Sequence, residues 1–114
     1  MSVKKQAMEI STLSSLAEPN RMRIVELLRH GPLTVGEVAE RLGLRQPQAS
    51  KHLKMLSDHG ILEVRAEANR RIYRIRLEPF QALNNWAQSF LRVMEERYDK
   101  LDDYLRELQN KEKP

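Results

Sequence analysis

The sequence predicts a mainly α-helical chain with one small β-hairpin and a long C-terminal helix. Three observations carry this prediction. Apolar residues recur at three- and four-residue steps up to about residue 58 and again from Pro79 onward. Residues 61–77 switch to a shorter, alternating period. Two short amphipathic stretches, 33–42 and 46–59, are joined at Gly43 by a tight turn, the spacing of a helix-turn-helix.

Each element has local reasons. Residues 4–17 space Ala7, Met8, Ile10, Leu13 and Leu16 helically. Pro19 opens a second helix, where its missing N–H costs nothing. Met22, Ile24, Val25, Leu27 and Leu28 give it a buried face, and Gly31-Pro32 ends it. Thr34 followed by Glu37 is a capping box for a third helix that buries Val35, Val38, Ala39 and Leu42. Gly43 is its left-handed stop. The fourth helix is expected to have Gln46 as its cap and Pro47 as its first residue, with Ala49, Leu53 and Leu56 inward and Met55 beside them. Gly60 closes it.

Ile61–Val64 and Arg71–Leu77 then read as two strands joined by a polar turn over residues 65–70. A hairpin placed directly after a helix-turn-helix is a wing. Pro79 starts a last helix of roughly eight turns, with an apolar stripe from Phe80 to Leu108. That stripe is longer than a core of this size needs. Its surplus calls for another surface, and a second copy of the chain is the simplest. The expected organisation is a single winged-helix domain over residues 1–109, with dimerisation helices at 4–17 and 79–109, followed by a flexible tail at 110–114.

Charge locates a partner. The chain of 114 residues carries a net charge of +4. Residues 45–76 hold eight Lys/Arg against three acids, whereas residues 79–114 hold six against seven. The positive charge therefore sits on the helix-turn-helix and wing, where phosphate would be met. There is no cysteine, which excludes disulfides, thiolate metal sites and thiol redox chemistry. No signal-peptide pattern and no apolar run of membrane-spanning length is present, so a cytoplasmic location without a membrane partner is expected.

The order of elements and three motifs resemble the ArsR-type winged-helix transcriptional regulators. Leu16-Ala-Glu-Pro-Asn-Arg-Met-Arg-Ile-Val-Glu-Leu-Leu28 is similar to the family's "LadptRlrIL-L" segment. Gln46-Pro-Gln-Ala-Ser-Lys-His-Leu53 is similar to its "Q-x-x-x-S-x-H-L" recognition helix. Gly60-Ile-Leu-Glu-Val-Arg65, leading into Arg70-Arg-Ile-Tyr73, is similar to "G-l-v-x-x-r-r-G-r-x-x-x-Y". The resemblance covers about residues 6–108. It implies a homodimeric repressor on an inverted-repeat operator in double-stranded DNA, often released by a signal.

The chain departs from the metal-sensing members of that family. Its third helix, Val38-Ala-Glu-Arg-Leu42, has no cysteine, and its last helix has no histidine. His30, His52 and His59 form no familiar ligand set. No metal or cofactor is implied, and the chain looks like the non-metal branch. An unidentified small-molecule or protein effector is left open.

The expected DNA-contacting residues follow from placement. Gln46, Gln48, Ala49, Ser50 and His52 lie at the start of the recognition helix, where side chains reach base edges. Ala49 fits the core equally well, and His52 fits a bracing role. Arg45, Lys51 and Lys54 suit phosphate, as does Thr34 at a helix N-terminus. Arg65, Asn69, Arg70 and Arg71 belong to the wing, where arginine enters the minor groove or grips the backbone. The plain alternative is a solvated surface. Met8, Leu13, Trp86, Phe90, Val93, Met94 and Leu101 are the expected dimer interface. A winged-helix protein-interaction module without DNA binding is the rival reading, disfavoured by the basic wing. No converging set of catalytic groups is evident, so an enzyme is not expected.

Overall fold

The computed structural model describes the backbone from Val3 to Glu112 and the side chains of residues 10–111. The elements in order are α1 (Val3–Leu16), α2 (Pro19–Leu28), β1 (Leu33–Thr34), α3 (Val35–Leu42), α4 (Gln46–Asp58), β2 (Leu62–Glu67), β3 (Arg70–Ile75) and α5 (Leu77–Glu112). The chain divides into two compact units, the first ending at Gln81 and the second beginning at Ala82.

In the first unit, short-range chemistry sets the helix ends. The Arg21 N–H donates to the Glu18 carboxylate at 2.8 Å, capping α2 ahead of Pro19. Thr34 and Glu37 complete the expected reciprocal box: the Glu37 N–H donates to Thr34 Oγ1 at 3.2 Å and the Thr34 N–H to Glu37 Oε1 at 3.0 Å. Gly43 ends α3 at φ 66°, and the next N–H, from Leu44, reaches back to the Ala39 carbonyl at 2.9 Å. This Schellman-type closure makes the turn between the two helices tight.

The core lies where these helices meet the sheet. Ile24, Val25 and Leu28 of α2 pack with Val38 and Ala39 of α3 and with Ala49, Leu53 and Leu56 of α4. Ile61, Leu62 and Tyr73 close it from the hairpin. Burying each large aliphatic chain contributes roughly 1.5–3 kcal/mol. The described inward edge of α1 mixes polar and apolar residues: Thr12 and Ser15 are buried and Leu16 packs against the core, whereas Ile10 and Leu13 are exposed.

The sheet has three antiparallel strands in the order β1-β3-β2. Sequence reading expected only two. Leu33 and Thr34 pair with Tyr73 and Ile72, and a two-residue strand leaves too short a pattern to detect. The hairpin also extends further than expected. Its register runs from Leu62↔Ile75 to Glu67↔Arg70, so the turn is only Ala68-Asn69. Ladder hydrogen bonds hold residues 65–67 and 70 as strand.

The second unit is the body of α5. The helix begins at Leu77 and continues through Glu112, so residues 110–112, expected in a flexible tail, are helical. Residues 113–114 lie outside the described residues.

Candidate nucleic-acid interface

The N-terminus of α3, the first turns of α4 and the tip of the wing enclose an open concavity of about 690 Å³. Thr34, Gln46, Ser50, Asn69, Arg70 and Arg71 line it, with Val35, Gly36 and Pro47 between them. Six of the expected contact residues, from three separated stretches of sequence, are thus brought to one surface. On the neighbouring side of α4, Arg45, Gln48 and Lys51 surround Pro47 in a smaller depression. The exposed edge of the recognition helix therefore presents two glutamines and a serine between basic groups.

Helical geometry explains this partition. Ala49, Leu53 and Leu56 face the core and turn the intervening residues outward. Pro47 sits at the second helical position, not the first, and Arg45 takes the N-cap place expected for Gln46. No side chain caps this end, and Pro47 removes one of the N–H groups that would otherwise be left without a helical partner.

Two expectations are corrected. Ala49 is fully buried and belongs to the core, so it cannot touch a base. The His52 side chain is only 17% exposed and faces Glu18 Oε2 at 3.8 Å; it braces α4 against α2 instead of reaching outward. Arg65 lies on the stem of β2 beside Pro32, Val64 and Ile72, away from the concavity. Its position in the ladder, opposite Ile72, sets it apart from the wing tip. Lys54 is exposed and pairs with Asp58 at 3.4 Å, one turn on.

A polar network behind α4 went unread in the sequence. The Arg21 Nε–H donates to the Ser15 carbonyl at 2.7 Å, and Ser15 Oγ hydrogen-bonds His59 Nδ1 at the other end of α4. Glu18 joins the same network by accepting from the Arg21 N–H, and it also faces His52. Partial desolvation raises the Glu18 carboxyl, but the N–H groups of Arg21 and Asn20 and the charges of His52 and Arg21 hold it below the usual carboxylate range. Glu37 is also lowered, by the Thr34 N–H and hydroxyl, with help from the Arg41 and Arg70 charges. Such contacts join residues six to 44 positions apart and have no local signature.

Of the expected interface residues, Leu13, Trp86, Phe90, Val93, Met94 and Leu101 all expose apolar surface. Met8 lies outside the residues whose side chains are described. Among the described residues, no group of three or more His, Asp or Glu side chains could hold a metal ion. None of the described helices is long and apolar enough to cross a membrane.

A recognition helix flanked by a basic two-stranded wing defines a winged helix-turn-helix protein. The profile of the helix-turn-helix domain family matches residues 16–65. The chain is 32% identical over 77 residues to the arsenical resistance operon repressor of Staphylococcus xylosus, covering 67% of this chain and 74% of that protein. It is 36% identical over 74 residues to the biofilm growth-associated repressor of Agrobacterium fabrum, covering 64% and 63%. It is 43% identical over 61 residues to the HTH-type transcriptional regulator Rv2034 of Mycobacterium tuberculosis, covering 54% and 57%. The chain thus spans less than two thirds of the length of the last two.

Solved structures agree. A crystal structure of an ArsR family transcriptional regulator superposes with a TM-score of 0.70 at 26% identity, over 83% of this chain and 95% of that one. The homodimeric winged helix-turn-helix domain of Mb0332 from Mycobacterium bovis, in solution, gives 0.62 at 28% identity, over 83% and 89%. The chain belongs to the ArsR family of helix-turn-helix transcriptional regulators.

Proposed function

We propose that the chain is a homodimeric, sequence-specific DNA-binding repressor that recognises an inverted-repeat operator. One observation carries the reading: Gln46, Ser50, Asn69, Arg70 and Arg71 line a single concavity between recognition helix and wing. Two such helices would enter successive major grooves about 34–36 Å apart. Gln46 and Gln48 suit adenine edges, Arg45 and Lys51 grip flanking phosphates, and Arg70 and Arg71 hold the adjacent backbone or minor groove. Bound over a promoter, the dimer would exclude polymerase. The repressors among its relatives and the homodimeric structural neighbour support this reading. A regulator of this kind works where the chromosome is, so we place it in the cytoplasm.

The test is a titration of the purified protein against its own promoter region and a scrambled duplex at two salt concentrations. Tight binding that prefers the promoter and weakens with salt is expected. Equal, weak binding to both duplexes, followed by failure to enrich any site from random sequence, would refute DNA reading and leave a protein-interaction module.

A further inference from the structure

Glu37 carries more than its cap requires. Its carboxylate accepts from the Thr34 N–H at 3.0 Å, and its own N–H donates to Thr34 Oγ1 at 3.2 Å. Closing the start of α3 in this way needs only an acceptor oxygen, and glutamine supplies one equally well. The negative charge is surplus to that task.

The charge stands beside the concavity between recognition helix and wing. Thr34, to which the carboxylate is bonded, lines that concavity with Gly36, Arg70 and Arg71. In the sheet Thr34 lies opposite Ile72, two residues along β3 from Arg70. Among the described residues, no acid lines the concavity itself, and the Arg70 guanidinium has no hydrogen bond or salt bridge. The Glu37 carboxyl is held below the ordinary carboxylate range, first by the Thr34 N–H and hydroxyl and then, through space, by Arg41 and Arg70. Arg41, one turn along α3, does not line the concavity. Arg70 is therefore the cation that Glu37 and an incoming phosphate would share.

A carboxylate and a DNA phosphate offer an arginine negative charge and acceptor oxygens of the same kind. Placed on either side of one guanidinium, they repel each other. We propose that Glu37 is an internal rival of DNA phosphate for Arg70 and thereby restrains the affinity of the wing for every duplex. The proposal rests on the DNA-binding reading above and adds a positioning residue to it.

Glu37→Gln keeps the cap and removes the charge, with circular dichroism as the check on folding. Fluorescence anisotropy with a labelled mixed-sequence duplex at two salt concentrations reads the effect. The variant is expected to bind about threefold more tightly at low salt. The gain should shrink as added salt screens the carboxylate. Glu37→Asp, which keeps the charge, is expected to show no gain. In an Arg70→Ala background the Glu37→Gln gain should fall by about half or more, whereas in an Arg41→Ala background it should persist. An unchanged affinity in folded Glu37→Gln, a gain in Glu37→Asp, or an equal gain without Arg70 overturns the proposal. Carboxyl-carbon NMR of the unmodified protein repeats the test without a substitution. Bound duplex should draw Arg70 away, so that Glu37 takes up its proton at a higher pH than in the free chain. A titration that does not move also overturns the proposal. Failure of the unmodified protein to bind any duplex overturns instead the DNA-binding reading itself.

Discussion

His52 of the recognition helix lies 3.8 Å from the carboxylate of Glu18, the residue that caps α2. The orientation of the DNA-facing helix is thereby tied to the start of another helix and, through Arg21 and Ser15, to the end of α1. His52→Ala is expected to weaken binding to every duplex by a similar factor while leaving the salt dependence unchanged. It should also cost about 1 kcal/mol or less of stability, as partly exposed pairs do. Parallel anisotropy and thermal-melt measurements separate this from base reading, in which one sequence would lose more than another.

Glu18 makes stability depend on pH. Its carboxyl titrates below the ordinary range in the folded chain, so its contribution is fully present above the unfolded pKa, about 4.3. That contribution is lost as the pH falls through the lowered folded value. Glu18→Gln should therefore be less stable than the parent near neutrality, with the gap narrowing as the pH drops below about 4. Denaturant midpoints across that range measure it, and a gap that stays constant would refute the linkage.

The wing tip stores strain. Ala68 has φ 54°, a left-handed conformation that costs a residue with a Cβ about 1–2 kcal/mol. Ala68→Gly should relieve that cost, less the entropy a glycine adds to the unfolded chain. A net gain of about 0.5–1 kcal/mol is expected in chemical denaturation. A loss would mean that the turn tolerates alanine without strain.

Sequence specificity should reside in the glutamines. Gln46→Ala and Gln48→Ala are each expected to narrow the preference for operator over scrambled duplex by about 1–3 kcal/mol, a lost bidentate base contact. Competition assays with single-base operator variants locate the base each residue reads. An equal loss on operator and scrambled DNA would reassign that glutamine to the backbone.

Much of this architecture was legible in the chain. The Thr34–Glu37 box and Gly43 mark α3 because capping acts over three or four residues and leaves a fixed spacing. The period of Ala49, Leu53 and Leu56 reveals which side of α4 is buried. It equally shows that Ala49 serves the core, a conflict between periodicity and motif in which burial prevails. What could not be read was long-range. The partner of His52 lies 34 residues away on α2, and the strand at Leu33–Thr34 exists only because β3 is there to pair with it. Arg65 and Arg71, at either end of the polar turn read from the sequence, look equivalent there. The hairpin register separates them, placing Arg71 at the concavity and Arg65 on the stem.

The most direct test of the interface is the salt dependence of operator binding for the unmodified protein and for Arg70→Ala/Arg71→Ala. The slope of log K against log salt scales with the phosphates neutralised, by about 0.9 for each. The double variant should bind all sequences more weakly, with a slope shallower by about one to two. An unchanged slope would contradict the account, since the wing would then make no ionic contact with DNA.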